Sequence, residues 1–319
     1  MTAFILFAAS AFVLLNRQYI IDSIQFWSYK PTSQIASIAQ RAALSDQGVF
    51  AFYSTQPEIK ASKEFNGKCG SKEQNTAIIG CYVNDRIYLY DVTDPRLDGI
   101  KEVTAAHEML HAVYQRLSVE EKQDVNRMVE AEYIKLQADE ALSDRMAYYA
   151  RTEPGERDNE LHSIIGTEIS SVSPELEKHY AKYFSSRSTV VQLYESYNKA
   201  FTQLKKQLDS LTVRLDTLKK EIDQGKSTYE LNYSRLETDI AVFKQKADSG
   251  QYGSNAAAFN ADRRALLARA DAIDAQRDNI NAKANEFNML LDQYESLELQ
   301  KQDLFKSMDS NSLTTPPKV

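Results

Sequence analysis

Two heptad repeats in the C-terminal half constrain the fold of this chain more than any other feature. In the first repeat, leucine or isoleucine recurs at spacings of four and three, at Leu204, Leu208, Leu211, Leu215, Leu218 and Ile222. In the second repeat, apolar residues recur every seven positions, at Phe259, Leu266, Ile273, Ile280, Phe287 and Tyr294. The turn-forming stretch DSGQYGSN separates the two repeats at 248–255. This pattern predicts an antiparallel coiled-coil hairpin over residues 187–308, with arms of roughly 75–90 Å at about 1.5 Å per residue.

The composition agrees with a largely helical chain. Only 10 glycines and 7 prolines occur in 319 residues, and a scarcity of both favours long helices. The net charge of -7 gives no support to a nucleic-acid-binding surface. No motif indicates a nucleotide or a redox cofactor. Residues 309–319 are polar, contain two consecutive prolines and are predicted to be disordered.

The N-terminus carries an uninterrupted apolar run from Ala3 to Leu15. The run is shorter than the roughly 20 residues that span a bilayer, but apolar residues continue at intervals to Trp27. We predict an uncleaved membrane anchor or signal segment over residues 1–29, because no small-residue cleavage site stands out. Arg17 would place the body in the cytoplasm by the positive-inside rule, whereas a disulfide would place it outside. The favoured prediction is a membrane-anchored protein whose main domain, after residue 29, is extracytoplasmic.

The two cysteines, Cys69 and Cys81, are separated by eleven residues. A disulfide between them would close a hairpin and would indicate an oxidising compartment. Two unrelated thiols are the alternative. The pair does not predict a zinc site, because no second pair of Cys or His lies nearby in the sequence.

Residues 30–186 are predicted to form one α+β domain. A helix is expected at 31–47. Three segments then have the composition of strands, namely VFAFYS at 49–54, AIIGCYV at 77–83 and RIYLYDV at 86–92. Asn84 and Asp85 lie between the last two and predict a hairpin turn. From about residue 100 the pattern becomes helical, so we expect a small sheet packed against several helices.

The sequence VTAAHEMLHAVYQRL at 103–117 places two histidines four residues apart on a predicted helix. Residues at this spacing share a helix face about 6 Å apart, which lets both imidazoles reach one zinc ion. His107 and His111 are therefore predicted zinc ligands. Glu108 lies one step round the helix, where its carboxylate can take a proton from a zinc-activated water. A chance match on an ordinary amphipathic helix is the alternative, and the scarcity of histidine in the chain argues against it.

The segment AAHEMLHAVY resembles the active-site helix of the zincin metallopeptidases. Its continuation, AVYQRL, lacks the glycine and the third histidine of metzincins, and SprT-like proteases take a third histidine downstream. The resemblance therefore favours gluzincins, in which a glutamate on a later helix completes the site. It implies a zincin-like metallopeptidase domain at 30–186, with a small sheet, active-site helices and zinc. It also implies that an edge strand, either AIIGCYV or RIYLYDV, pairs with an extended substrate.

The third zinc ligand implied by this resemblance is Glu160. The helix NELHSIIGTEI at 159–169 resembles the NExxS stretch of thermolysin-like enzymes, with Asn159, Glu160 and Ser163 at the matching positions. Ile164 departs from that pattern, which has an aspartate at this position to orient the first histidine.

Other residues compete for roles in the predicted site. Glu156 is an alternative ligand, because Glu160 would then follow four residues later as a supporting carboxylate. Glu140 and Glu168 are further alternatives. His162 either contacts the substrate or is structural, and the case for a functional His179 is weaker. The oxyanion donor is left unassigned among the candidates Tyr148, Tyr149, Tyr180 and Tyr183.

We therefore predict a membrane-tethered zinc metallopeptidase that hydrolyses peptide bonds, with Glu108 as general base and with His107, His111 and Glu160 as ligands. Its expected partners are a protein or peptide substrate, the membrane, and a protein partner or second copy bound through the coiled coil. The alternative is a non-catalytic, membrane-anchored coiled-coil scaffold with a structural or vestigial zinc site. Glu108 argues against that alternative, because a structural site does not need it. A zinc hydrolase acting on non-peptide amides is a third possibility.

Overall fold

The computed structural model describes residues 13, 15–70, 78–152 and 154–310. The chain divides into two compact units. The first unit comprises Met1–Thr202 and Gln302–Val319, and the second comprises Gln203–Lys301.

Helices dominate the first unit. Its described helices are α1 (Arg17–Ser28), α2 (Ser33–Arg41), α3 (Asp46–Ser54), α4 (Ser62–Cys69), α5 (Ile100–Arg116), α6 (Val119–Leu136), α7 (Glu140–Thr152), α8 (Arg157–Glu168) and α9 (Pro174–Tyr180). A short 3₁₀ turn at Pro95–Leu97 precedes α5. Local capping accounts for several of these boundaries. Ser118 and Glu121 form a complete capping box at the start of α6, and the Ser173 side chain accepts a hydrogen bond from the backbone of Leu176 at the start of α9.

A three-stranded sheet completes the first unit. Its strands are β1 (Glu58–Lys60), β2 (Gly80–Val83) and β3 (Arg86–Tyr90), in the order β1-β3-β2. Strand β3 pairs parallel with β1 and antiparallel with β2. Asn84 and Asp85 join β2 to β3 with φ values of 52° and 59°, the left-handed conformation that a two-residue hairpin turn requires. The sheet therefore has β3 at its centre and β2 at one edge.

Helix α5 lies at the centre of the core. Helix α8 packs along it, and β2, β3, α2 and α3 also contact it. Gly166 lets α8 approach closely, because a Cβ at this position would lie 2.5 Å from the Leu110 side chain and 2.8 Å from the Tyr180 ring. Since α5 carries the two candidate histidines and α8 carries Glu160, this packing brings the predicted site residues together.

The prediction of an α+β, zincin-like fold with an N-terminal membrane helix was wrong. The described chain is mostly helical, and its sheet has only three short strands. The segment VFAFYS lies in helix α3 rather than in a strand, and Ser45 caps that helix by accepting a hydrogen bond from Gly48. A short apolar run does not distinguish a buried helix from a strand by its periodicity. The expected helix at 31–47 is also divided, since α2 ends at Arg41 and α3 begins at Asp46.

The predicted membrane helix, and with it the membrane-anchored and extracytoplasmic localisation, is corrected by the structure. Among the described residues, no helix combines the length and the apolar character needed to cross a bilayer. Apart from residues 13 and 15, the apolar run Ala3–Leu15 lies outside the described residues. Helix α1 instead buries Asp22, which forms a two-pronged ion pair with Arg116 of α5.

Two long helices supply the second unit, and they lie where the heptad repeats predict them. They are α10 (Arg187–Asp248) and α11 (Ala256–Met308), and their outer turns belong to the first unit. Within the second unit they run antiparallel, with Arg214 paired to Glu286 at 2.6 Å and Lys283 paired to Glu221 at 3.0 Å. Of the predicted disordered tail, residues 311–319 lie outside the described residues.

Candidate metal centre

The two histidines of the HExxH sequence face one point from helix α5. The Nε2 atoms of His107 and His111 lie 3.1 Å apart. Helix α5 has no glycine or proline within its bounds, so its regular geometry places positions 107 and 111 on the same face. Both imidazoles are held in a largely buried setting, with His111 only 9% exposed.

Glu160 of α8 supplies the third group of the cluster. Its two carboxylate oxygens lie 3.5 Å from the Nε2 of His111 and 3.7 Å from the Nε2 of His107. Ligand atoms at about 2.0–2.1 Å from a tetrahedral zinc are separated by about 3.3 Å. The three side chains therefore nearly form the face of a zinc coordination sphere.

The Glu160 carboxylate has one buried oxygen that makes no hydrogen bond. This atom, Oε2, lies 3.7 Å from the Nε2 of His107. Burial acts to raise the pKa of Glu160, but the neighbouring imidazoles of His107 and His111 outweigh it and lower that pKa. Burial likewise acts to lower the pKa of His107, and the negative charges of Glu160 and Glu108 outweigh it and raise that pKa. A buried, ionised carboxylate without a hydrogen bond on one oxygen suits a metal ligand.

The alternative third ligands lie elsewhere. Glu156 precedes α8, is exposed and accepts a hydrogen bond from the amide of Asn159. Glu168 forms a two-pronged ion pair with Arg145, at 2.7 and 3.0 Å. Glu140 is exposed at the first turn of α7. Of the four glutamates considered from the sequence, the structure places Glu160 against the imidazoles.

Asn159 and Ser163 orient His111. The Oδ1 atom of Asn159 lies 2.9 Å from Nδ1 of His111, and the Ser163 hydroxyl lies 3.3 Å from the same nitrogen. Because the Asn159 amide nitrogen donates to Glu156 at 2.8 Å, its oxygen faces the imidazole and accepts from Nδ1–H. This tautomer leaves the lone pair of Nε2 facing Glu160, as metal ligation requires. Ile164, which stands in place of the expected aspartate, is fully buried in the core.

Strand β2 lies against the candidate general base. A Cβ at Gly80 would lie 3.0 Å from both Cγ and Oε1 of Glu108 and 2.4 Å from Cγ2 of Thr104. The backbone of β2 can therefore approach Glu108 only because residue 80 is glycine. The sequence analysis did not assign Gly80 a role. A glycine inside a strand pattern, as in AIIGCYV, is the signal that could have indicated this close approach.

Tyr149 is one of the four tyrosines considered as oxyanion donors. Burial, together with the negative charges of Glu160 and Glu108, raises its pKa well above the usual value, so the phenol stays protonated. Tyr180 instead donates to the carbonyl of His162, and Tyr183 packs in the core.

The remaining histidines form a separate pair. The Nε2 atoms of His162 and His179 lie 2.9 Å apart in the core, where His162 is fully buried. Burial and the neighbouring imidazole lower the pKa of His162, and burial lowers the pKa of His179 to about 4. Both are therefore neutral at physiological pH, and their hydrogen bond in the core indicates a structural role.

Cys69 and Cys81 form a disulfide that joins the last residue of α4 to β2.

Comparison of the chain with profiles of known protein families, with curated proteins and with solved structures finds no match.

Proposed function

We propose that this chain is a zinc-dependent peptidase with a gluzincin-like ligand set of His107, His111 and Glu160. The observation that carries the proposal is the triangle of ligand atoms, in which one buried carboxylate oxygen has no hydrogen bond. Glu108 lies beside this triangle in the HExxH order, which a purely structural zinc site does not require. Zinc bound here supplies Lewis acidity, which lowers the pKa of water and polarises a carbonyl group.

The side chains of this protein have two roles in hydrolysis, namely proton transfer and orientation of a ligand. Glu108 takes a proton from the water whose oxygen bonds to the carbonyl carbon. The same carboxyl group returns that proton to the amide nitrogen as the C–N bond breaks. Asn159 and Ser163 keep His111 in its ligating tautomer throughout. One water molecule is consumed, and the products are a carboxylic acid and an amine.

The edge strand β2 supports an extended polypeptide as the substrate. In the described sheet β3 is central, so of the two strands considered from the sequence only β2 can offer an outer edge. An extended chain can add to such an edge through main-chain hydrogen bonds. Since Gly80 of β2 lies against Glu108, a chain bound there would pass beside the general base.

The second unit supports a further proposal, that a protein partner or a second copy binds to the antiparallel helices. Apolar side chains are exposed along both, at Val213, Leu231, Val242, Leu267 and Met289. A further helix packed along the pair would bury side chains of this kind. The peptidase proposal does not depend on this one.

The peptidase proposal is tested by the Glu108→Gln variant of the full-length protein. Glutamine keeps the shape of the side chain but cannot take a proton, so we expect cleavage of labelled casein or of a mixed peptide library to fall at least about 10³-fold. Zinc content should stay at the wild-type value, because Glu108 is not a ligand. Glu140→Gln, at an exposed position of α7, is the matched control and should keep its activity. Full activity in Glu108→Gln would refute the proposed mechanism.

A further inference from the structure

The disulfide lies directly beside the strand residue that touches the general base. Cys81 follows Gly80 in β2, and its partner Cys69 is the last residue of α4. Successive side chains of a strand face opposite sides of the sheet. Gly80 faces α5 and Glu108, so Cys81 faces the other side of the sheet, where it joins α4. Strand β2 is thus contacted by α5 on one face and covalently held on the other.

Helix α4 is a firm anchor for that bond. Its Phe65 is buried and its ring lies 5.8 Å from the ring of Tyr90. Ser62 and Asn66 both donate hydrogen bonds to the carbonyl of Ser310, which follows α11 in the first unit. Because α4 is held at both of these places, a cross-link to it limits the movement of β2.

Among the described residues, the other attachments of β2 are non-covalent and include its packing against α5. It pairs with β3 over four residues, from Gly80 opposite Leu89 to Val83 opposite Arg86. The phenol of Tyr82 donates to Asp85 at 2.8 Å and accepts from Arg116 at 2.9 Å. A four-residue edge strand is only weakly held by its ladder, and edge strands open more readily than central ones. At the Gly80 end the ladder continues with one hydrogen bond, from the Tyr90 amide to the Ile79 carbonyl at 2.7 Å, and the disulfide adds a covalent restraint there.

We propose that the Cys69–Cys81 disulfide is a positioning element for the substrate: it holds the β2 edge at Glu108, so that reducing it weakens binding of an extended polypeptide. This inference rests on the proposed function. The ligands His107, His111 and Glu160 lie on α5 and α8, which carry neither cysteine. Zinc affinity should therefore be unaffected, and substrate binding should respond to the redox state of the surroundings.

The chemical step is a two-electron reduction by a dithiol such as dithiothreitol. One thiolate of the reductant attacks a sulfur of the disulfide, the S–S bond breaks, and a mixed disulfide forms. The second thiol of the reductant then attacks the reductant sulfur of the mixed disulfide, and the bond to the protein sulfur breaks. Cys69 and Cys81 each end with one proton and one additional electron, and the dithiol becomes a cyclic disulfide.

The test compares oxidised full-length protein with protein that has been reduced by dithiothreitol, freed of the dithiol without air and equilibrated again with zinc, because a dithiol itself binds zinc. Both are measured at a temperature where circular dichroism shows them to be folded. Hydrogen exchange of the Gly80–Val83 backbone amides should become about tenfold faster on reduction, while exchange in α5 and α8 stays the same. The KM for fluorescein-labelled casein should rise about tenfold with kcat within about twofold, because an interaction that is equal in ground and transition states has been lost. Zinc content should not change. A bond that only stabilised the fold would lower the melting temperature without this separation of KM from kcat.

Two sets of variants sharpen the result. The double variant Cys69→Ser/Cys81→Ser should resemble the reduced protein and should not respond to dithiothreitol. Gly80→Ala should raise KM with the disulfide intact, because its Cβ would press on Thr104 and Glu108. Gly67→Ala in α4 is its control, since a Cβ at Gly67 meets nothing within 4 Å.

Each outcome is decisive for one of the two proposals. Unchanged exchange in β2 after reduction would overturn the positioning role, whether or not casein is a substrate. Faster exchange with an unchanged KM would overturn the link to substrate binding. Oxidised protein that binds no zinc and cleaves nothing would instead refute the proposed function, while the exchange result would still report on the disulfide.

Discussion

Asn159 shows how one residue outside the ligand set can decide whether His111 is able to bind a metal. Its carbonyl oxygen accepts from Nδ1–H of His111, and its amide donates to Glu156. The two hydrogen bonds together fix both the flip of the amide and the tautomer of the imidazole. At the scale of single residues, the candidate site is thus prepared before any metal binds.

We predict that Asn159→Ala weakens zinc binding about tenfold or more, because the imidazole loses its acceptor and its orientation. Asn159→Asp should largely restore the affinity, since aspartate keeps an acceptor at the same place. Competition with a chromogenic zinc chelator would measure both. An Asn159→Ala protein with wild-type affinity would show that Ser163 alone is sufficient to orient His111.

Part of the candidate site could be predicted from the sequence, because some of its residues are placed by helix geometry alone. His107, Glu108 and His111 follow from spacing on one helix, since a regular helix fixes their relative positions within two turns. Glu160 came from a resemblance, and three other glutamates stayed open, because the distance between α5 and α8 is set by packing at Gly166 and Leu110. The approach of Gly80 to Glu108 depends on the same tertiary packing. No local pattern contains that information.

At the scale of elements, His162 and His179 connect α8 to α9. Their imidazoles share a hydrogen bond of 2.9 Å in the core beside Tyr180. Burial, with the positive charge of Lys182, lowers the pKa of His179 to about 4 from its ordinary 6.5. An unfolded chain would bind a proton here below about pH 6.5, and the folded protein would not do so until about pH 4.

The unfolded state therefore binds more protons between these two values, and stability should fall as the pH falls through this window. We predict that His179 accounts for a loss of about 2 kcal/mol between pH 7 and pH 4.5. Urea unfolding of zinc-free protein at both pH values would measure it, with His179→Gln as the non-titrating variant. Equal losses in the wild type and in His179→Gln would contradict the assignment.

The elements themselves were predictable where the signal was local. The turn at Asn84-Asp85 identified a boundary that the structure also has, and the capping box of Ser118 and Glu121 is a local pattern of the same kind. Two elements were not. Strand β1 has the charged sequence EIK, which lacks a strand composition, and VFAFYS became helix α3 because its burial against α5 and α1 suits a helix. In such short segments tertiary contacts override the intrinsic preference.

At the scale of the whole molecule, the heptad repeats were a reliable guide to structure and the N-terminal apolar run was not. The heptad repeats extend over many turns, so they predicted the two long helices, α10 and α11, with little ambiguity. The N-terminal apolar run misled, since among the residues that the structure describes no helix is suited to cross a membrane. The heptad repeats form a long periodic pattern, whereas the apolar run is short and has hydrophobicity as its only signal.

The proposed metal centre is tested most directly by the zinc content of the purified full-length protein after equilibration with zinc and removal of the excess. Wild type is compared with Glu160→Ala and with the control Glu140→Ala, which changes an exposed glutamate of α7. We predict about one zinc per chain in the wild type and in Glu140→Ala, and less than about a tenth of that in Glu160→Ala, because a buried ligand has been removed. Zinc retained in Glu160→Ala, or no zinc in the wild type, would contradict the proposed metal centre.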